Sequence, residues 1–116
     1  MTDQLHRPAP TQHLAAWTEL TEQRASRARQ LAELATAELE ASTSADEARR
    51  ELTKALSAGA RQALVEVEAA LQRFAAGTFG ACEQCGAAIP DERLEILPMT
   101  RYCTPCQRSA QALARR

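Results

Sequence analysis

The chain is poor in aromatic residues. One tryptophan, one tyrosine and two phenylalanines make up 3% of its 116 residues. Alanine supplies much of the 45% hydrophobic content, which excludes a thick core of large side chains and favours closely paired alanine-rich helices. No apolar run approaches the roughly 20 residues that cross a bilayer. Residues 1–12 lack the apolar centre of a secretory signal. These absences predict a cytoplasmic protein with no membrane association, in a compartment where thiols stay reduced. Charge of one sign is not in excess either: 14 basic against 15 acidic residues leave a net charge of −1. A general nucleic-acid binder would show a basic face, so no sequence-specific DNA binding is expected. The basic tail of Arg108, Arg115 and Arg116 reads as cations near a helix carboxyl end. Histidine is confined to His6 and His13. No nucleophile–base pair or open metal site can be assembled from these residues, which argues against an enzyme. Proline is missing from residues 11–89 and Gly59 is the first glycine.

What the chain does have is two matched cysteine pairs, Cys82-Glu-Gln-Cys85 and Cys103-Thr-Pro-Cys106, with 17 residues between Cys85 and Cys103. Two intervening residues let both thiolates of a turn face one point, and two such turns complete the tetrahedron that zinc prefers. Gly86 follows the first pair, where the backbone often needs positive φ. The spacing predicts one structural Zn²⁺ held by Cys82, Cys85, Cys103 and Cys106, with a rubredoxin-like iron centre or two disulfides as the remaining readings. A catalytic site would keep an open position. Four thiolates on Zn²⁺ carry a net −2, for which Arg93, Arg101 and Arg108 are candidate counter-charges.

Upstream the pattern is helical. Leu14, Trp17, Thr21, Ala28, Leu31 and Ala35 recur at steps of three and four, Leu20 and Leu34 widen the stripe, and Arg24 and Glu38 also fall on that line. Ser44 with Glu47 three residues later has the form of a capping box and predicts a new helix start. The second stripe reads Ala48, Leu52, Ala55, Leu56, Gly59, Ala63, Val67, Ala70, Leu71 and Phe74. Gly59 costs about 1 kcal/mol within a helix, and its bare backbone suggests close approach by the partner helix. Gly77 stands where a helix terminator should. Two helices of about 30 residues, each roughly 40–45 Å long at 1.5 Å per residue, predict an antiparallel coiled-coil hairpin. Thr104 and Pro105 predict a short last helix carrying Ala110 and Leu113 back against the metal module. Between the knuckles, Ile89, Leu94, Ile96 and Leu97 supply a small satellite core. The expected fold is therefore mainly α: a leader over residues 1–12, a long hairpin over 13–77 with its tip near 42–48, and a four-cysteine zinc-finger module with a short carboxyl-terminal helix over 78–116.

The run Phe74-Ala-Ala-Gly-Thr-Phe-Gly-Ala-Cys-Glu-Gln-Cys-Gly-Ala-Ala-Ile89, continuing through Arg93-Leu94-Glu95, Pro98 and Cys103-Thr-Pro-Cys106, resembles the DksA/TraR family of zinc-finger regulators. The resemblance covers about a third of the chain. It implies a monomeric protein that binds bacterial RNA polymerase directly, entering its secondary channel so that acidic residues at the hairpin tip lie near the active centre. The family's tip motif Asp-x-x-Asp-x-Ala falls on Thr43-Ser-Ala-Asp46-Glu-Ala48, so Asp46 and Ala48 match, Thr43 replaces the first aspartate and Glu47 adds a carboxylate. The basic positions that family members use for ppGpp fall on Glu66, Leu97 and Gln107, none cationic, which implies a weak or absent response to that nucleotide. The alternative expectation is a zinc-stapled coiled-coil adaptor in a protein–protein complex.

Overall fold

The computed structural model describes residues 13–114. The predicted leader, residues 1–12, and the last two arginines lie outside the described residues. Four helices follow in order: α1, Leu14–Ala41; α2, Glu47–Ala76; α3, Asp91–Ile96; and α4, Thr104–Ala114. Among the described residues the extended backbone is limited to one antiparallel bridge, Ala81 with Ala88. α1 and α2 pack as the expected antiparallel hairpin. None of the described helices is long and apolar enough to cross a membrane.

The turn between the long helices is closed by short polar side chains. The Ser42 and Thr43 hydroxyls donate back to the Leu39 and Glu40 carbonyls at 2.6 and 3.1 Å, occupying acceptors that the end of α1 leaves without helical donors. The start of α2 differs from the predicted capping box. Ser44 Oγ accepts from the Asp46 amide at 3.0 Å, and Asp46 Oδ1 accepts from the Arg49 amide at 3.2 Å. Asp46 is thus the cap, because α2 begins at Glu47 and the third helical amide belongs to Arg49. Arg50 reaches back and donates from its guanidinium to the Ser44 carbonyl.

Two compact units divide the described chain: Thr21–Glu68, and a second formed by the residues up to Leu20 together with those from Ala69 onward. In Thr21–Glu68 the inner face of α2 runs through Arg50, Thr53, Ser57, Ala60, Leu64 and Val67, and that of α1 through Gln23, Arg27, Gln30, Leu34, Ala37 and Ala41. In α2 this seam lies one residue away from the predicted stripe until the two meet at Val67, whereas in α1 it keeps Leu34, with Thr21, Leu31 and Glu38 half-buried beside it. Leu52, Leu56 and Gly59 face outward, as do Arg24, Ala28 and Ala35. The reason is that Val67, 1% exposed, anchors two competing lines in the sequence. One steps back through Ala63, Gly59, Leu56 and Leu52, the other through Leu64, Ala60, Ser57 and Thr53. A rigid helix can bury only one. The structure buries the second, whose small side chains permit close helix approach. Gly59 consequently borders open space: a Cβ added there meets nothing within 4 Å.

The other unit is built on larger groups. Leu20 and Ala70 are fully buried and Phe74 is 6% exposed, with the Phe74 ring stacked on Phe79 at 3.9 Å. α2 ends as Gly77 predicts. Its φ is +76°, the Gly77 amide donates to the Phe74 carbonyl and the Thr78 amide to the Arg73 carbonyl, the paired bonds of a Schellman motif. Downstream, Cys82, Ile89, Leu94 and Cys103 form a buried cluster with Phe79, Tyr102 and Cys106 against it. Ile96 and Leu97 do not join that core, being 78% and 46% exposed. Ile96 ends, and Leu97 follows, a helix of six residues whose buried face is taken by Leu94. α4 likewise buries no residue, and Leu113 is 67% exposed, so the expected packing of Ala110 and Leu113 on the module is absent.

Candidate metal centre and hairpin turn

The four predicted ligands converge. The Sγ atoms of Cys82, Cys85, Cys103 and Cys106 all lie within 4.8 Å of one another, and those of Cys85 and Cys103 are 3.7 Å apart. A tetrahedron with metal–sulfur bonds of about 2.3 Å has edges of about 3.8 Å, so this spread fits Zn²⁺. It is far longer than the about 2.05 Å of a disulfide, and all four cysteines are free.

The local sequence explains the convergence. In the first knuckle the Gly86 amide donates to the Cys82 carbonyl at 2.9 Å and the Cys82 amide to the Ala87 carbonyl at 2.8 Å. Gly86 has φ +79°, the left-handed conformation that a side chain disfavours and that turns the backbone back after Cys85. The second knuckle uses a helix start: Cys103 immediately precedes α4, its carbonyl accepts from the Gln107 amide at 2.9 Å, and Cys106 sits in the first turn. Thr104 and Pro105 fill the intervening positions, where proline's missing amide costs no hydrogen bond. The Glu83 amide donates to the Arg101 carbonyl at 2.8 Å and so joins one knuckle to the other.

The protein environment treats the thiols unequally. Burial pushes the Cys82 thiol up, but amides of Cys103, Cys85 and Gln84 and the Cys106 thiol together outweigh this and bring its pKa down to about 6. The Cys103 thiol, then burial and the remaining thiols, push Cys106 up to about 12. The metal-free cluster therefore favours a thiolate at Cys82 while Cys106 keeps its proton. Zn²⁺ held by the four Sγ atoms would supply the positive charge that offsets a thiolate ligand set.

Of the predicted counter-charges, Arg101 lies 3.7 Å from Glu83 Oε2 and Arg108 is exposed. Arg93 is half-buried on α3, and its Nε has no hydrogen-bond partner among the described residues. The strongest cation at the knuckles is one that sequence reasoning missed. Arg73, in the last turn of α2, is 9% exposed and lies 3.7 Å from Glu83 Oε1. A cation amid the buried line Ala70–Phe74 was the available signal, but its partners lie far downstream.

The predicted tip residues lie together in sequence and are open to solvent. Thr43, Asp46, Glu47 and Ala48 are all exposed, with Arg49 and Lys54 exposed just behind them. Glu66 is half-buried on α2 and accepts from Gln62 Nε2 at 3.2 Å. Leu97 follows α3, and Gln107 is half-buried on α4.

A helical hairpin joined to a four-thiolate zinc finger defines the class: a small, mainly helical C4 zinc-finger protein. Residues 77–112, about a third of the chain, match the prokaryotic DksA/TraR C4-type zinc finger. Two curated relatives share the same stretch. An uncharacterized protein of Aquifex aeolicus (strain VF5) is 49% identical over 43 residues, 37% of this chain and 30% of its own length. General stress protein 16O of Bacillus subtilis (strain 168) is 47% identical over 47 residues, 40% of this chain and 29% of its own. The chain thus spans less than a third of the length of these relatives. Among solved structures, the transcription factor DksA2 from Pseudomonas aeruginosa superposes with a TM-score of 0.77 at 20% identity, covering 99% of this chain and 98% of that one. At that identity the match concerns the fold.

Proposed function

We propose that the protein is a DksA-type transcription regulator that binds bacterial RNA polymerase directly. Its hairpin enters the secondary channel and presents Thr43, Asp46, Glu47 and Ala48 near the active centre. The observation that carries this reading is a hairpin fold shared over nearly the whole chain with a transcription factor and ending in an exposed acidic turn. The protein acts as a cytoplasmic monomer and contributes no catalytic group of its own. Zinc is structural: it joins the two knuckles. Asp46 has two tasks, capping α2 and offering a carboxylate to the channel. The response to ppGpp is weak or absent, because Glu66, Leu97 and Gln107 offer no cation for its phosphates. A pull-down with purified RNA polymerase tests the reading. Retention by the wild type, and no strengthening on titration with ppGpp, is the expected result; no retention contradicts it.

A second reading, an adaptor joining two proteins, draws support from one observation. Leu39, Leu52 and Leu56 on the hairpin are 75%, 61% and 50% exposed, more apolar surface than a paired rod needs to show. Light scattering that found a stable dimer would favour it over the polymerase reading.

A further inference from the structure

We infer that Arg73 is a positioning residue for the zinc centre, a strut through which metal occupancy and the last turn of α2 stabilise one another. The inference stands apart from polymerase docking. The Arg73 guanidinium donates to the Met99 carbonyl at 3.2 Å and to the Thr100 carbonyl at 3.4 Å. It lies 3.7 Å from Glu83 Oε1, while the other carboxylate oxygen of Glu83 lies 3.7 Å from Arg101 Nη1. Glu83 sits between Cys82 and Cys85, and Met99–Thr100 lead into Cys103. One buried cation therefore holds both segments that the metal joins.

The energetics make this a coupling and not an ornament. A guanidinium out of water is tolerated only with its acceptors in place, and stranding it is strongly destabilising. The Met99 and Thr100 carbonyls and the Glu83 carboxylate that it meets all belong to the knuckle segments. The arrangement of those segments depends on the metal, since structural zinc binding is folding free energy. Losing zinc frees the knuckles and weakens the hold on Arg73. By linkage, removing Arg73 must then weaken zinc binding by the same coupling free energy. Lysine is a poor substitute, because one ammonium cannot reproduce a planar fork that serves two carbonyls and a carboxylate.

The test uses the full chain and zinc alone as the probe. Competition with a chromophoric chelator should give Arg73→Met a zinc affinity about 10–100-fold below wild type, the usual effect of losing an outer partner of a metal site. Arg73→Lys should recover part of it. Amide exchange at residues 73–76 should rise when zinc is removed from the wild type, and should already be raised in zinc-loaded Arg73→Met. Val67→Ala, a destabilised control away from the knuckles, should keep wild-type zinc affinity. If Arg73→Met fails to fold, Glu83→Gln replaces it, with several-fold faster zinc release expected. Zinc affinity within twofold of wild type in Arg73→Met, wild-type release from Glu83→Gln, or an equal loss of affinity in Val67→Ala would overturn the inference.

Discussion

The seam of Thr21–Glu68 and the core around the cysteines solve burial in opposite ways. Beside Leu34, Leu64 and Val67, the seam is filled with small or polar groups. Thr53 returns its hydroxyl to the Arg49 carbonyl at 2.8 Å, and Arg27 donates to Gln30 Oε1 at 2.9 Å. Ser57, 1% exposed, has a hydroxyl with no hydrogen-bond partner among the described residues, while Leu52 and Leu56 stand in solvent. The base instead buries Leu20, Phe74, Ile89 and Leu94 and adds four metal-binding thiols. The difference teaches where large apolar side chains and metal ligands are concentrated: around the cysteines, while the seam buries smaller and more polar groups.

Removing the metal should break the comparison most severely. Structural zinc in finger peptides contributes on the order of 10 kcal/mol or more at neutral pH. Chelation should therefore abolish amide protection across residues 79–106. Acid should act in the same direction. Protons compete with zinc for the thiols, and Cys106, pushed up to about 12 in the metal-free cluster, must release one to bind. Zinc affinity measured by chelator competition should thus fall steadily from pH 8 to pH 6, with protons released on binding. An affinity independent of pH would contradict a four-thiolate centre.

Next in size is Phe74→Ala, which removes a stacked, buried ring and should lower stability by about 3–5 kcal/mol in denaturant unfolding. Leu52→Ala, on the exposed stripe, should stay within about 0.5 kcal/mol of wild type. Equal losses from the two would mean that the seam runs through Leu52 after all.

This contrast marks how far the sequence could be read. The zinc ligands were legible because Cys-x-x-Cys turns are local and their spacing alone brings the thiols together. The ends of α2 were legible to within a residue or two, since Gly77 and the Ser44–Asp46 segment carry local capping chemistry. Whether Ser44 or Asp46 caps depended on where α2 begins. The seam was not legible, because two lines diverge from Val67 and the more apolar one lost to the one with smaller side chains. Arg73 was invisible for another reason: the carbonyls it serves lie 26 and 27 residues downstream.

At the turn, Asp46→Ala should cost about 1 kcal/mol by deleting the cap, whereas Asp46→Asn keeps the cap and removes only the charge. Loss of transcriptional effect in Asp46→Asn with unchanged stability would assign the carboxylate to the partner; an unchanged effect would leave it as a cap. The smallest changes should be gains. Gly59→Ala, facing open space on α2, should stabilise by about 1 kcal/mol, and Ser57→Ala, by removing an unpaired buried hydroxyl, should be neutral or stabilising. A loss from either would mean that the outer face of α2, or the Ser57 hydroxyl, has a partner in the folded protein.

The most direct test of polymerase docking is site-specific photo-crosslinking in complex with purified RNA polymerase. Probes at Thr43 and Ala48 should label the catalytic subunits near the active centre, and a probe at exposed Ala25 should not label the same peptides. Failure of Thr43 and Ala48 to crosslink, or labelling of the same region from Ala25, would contradict insertion by the acidic turn.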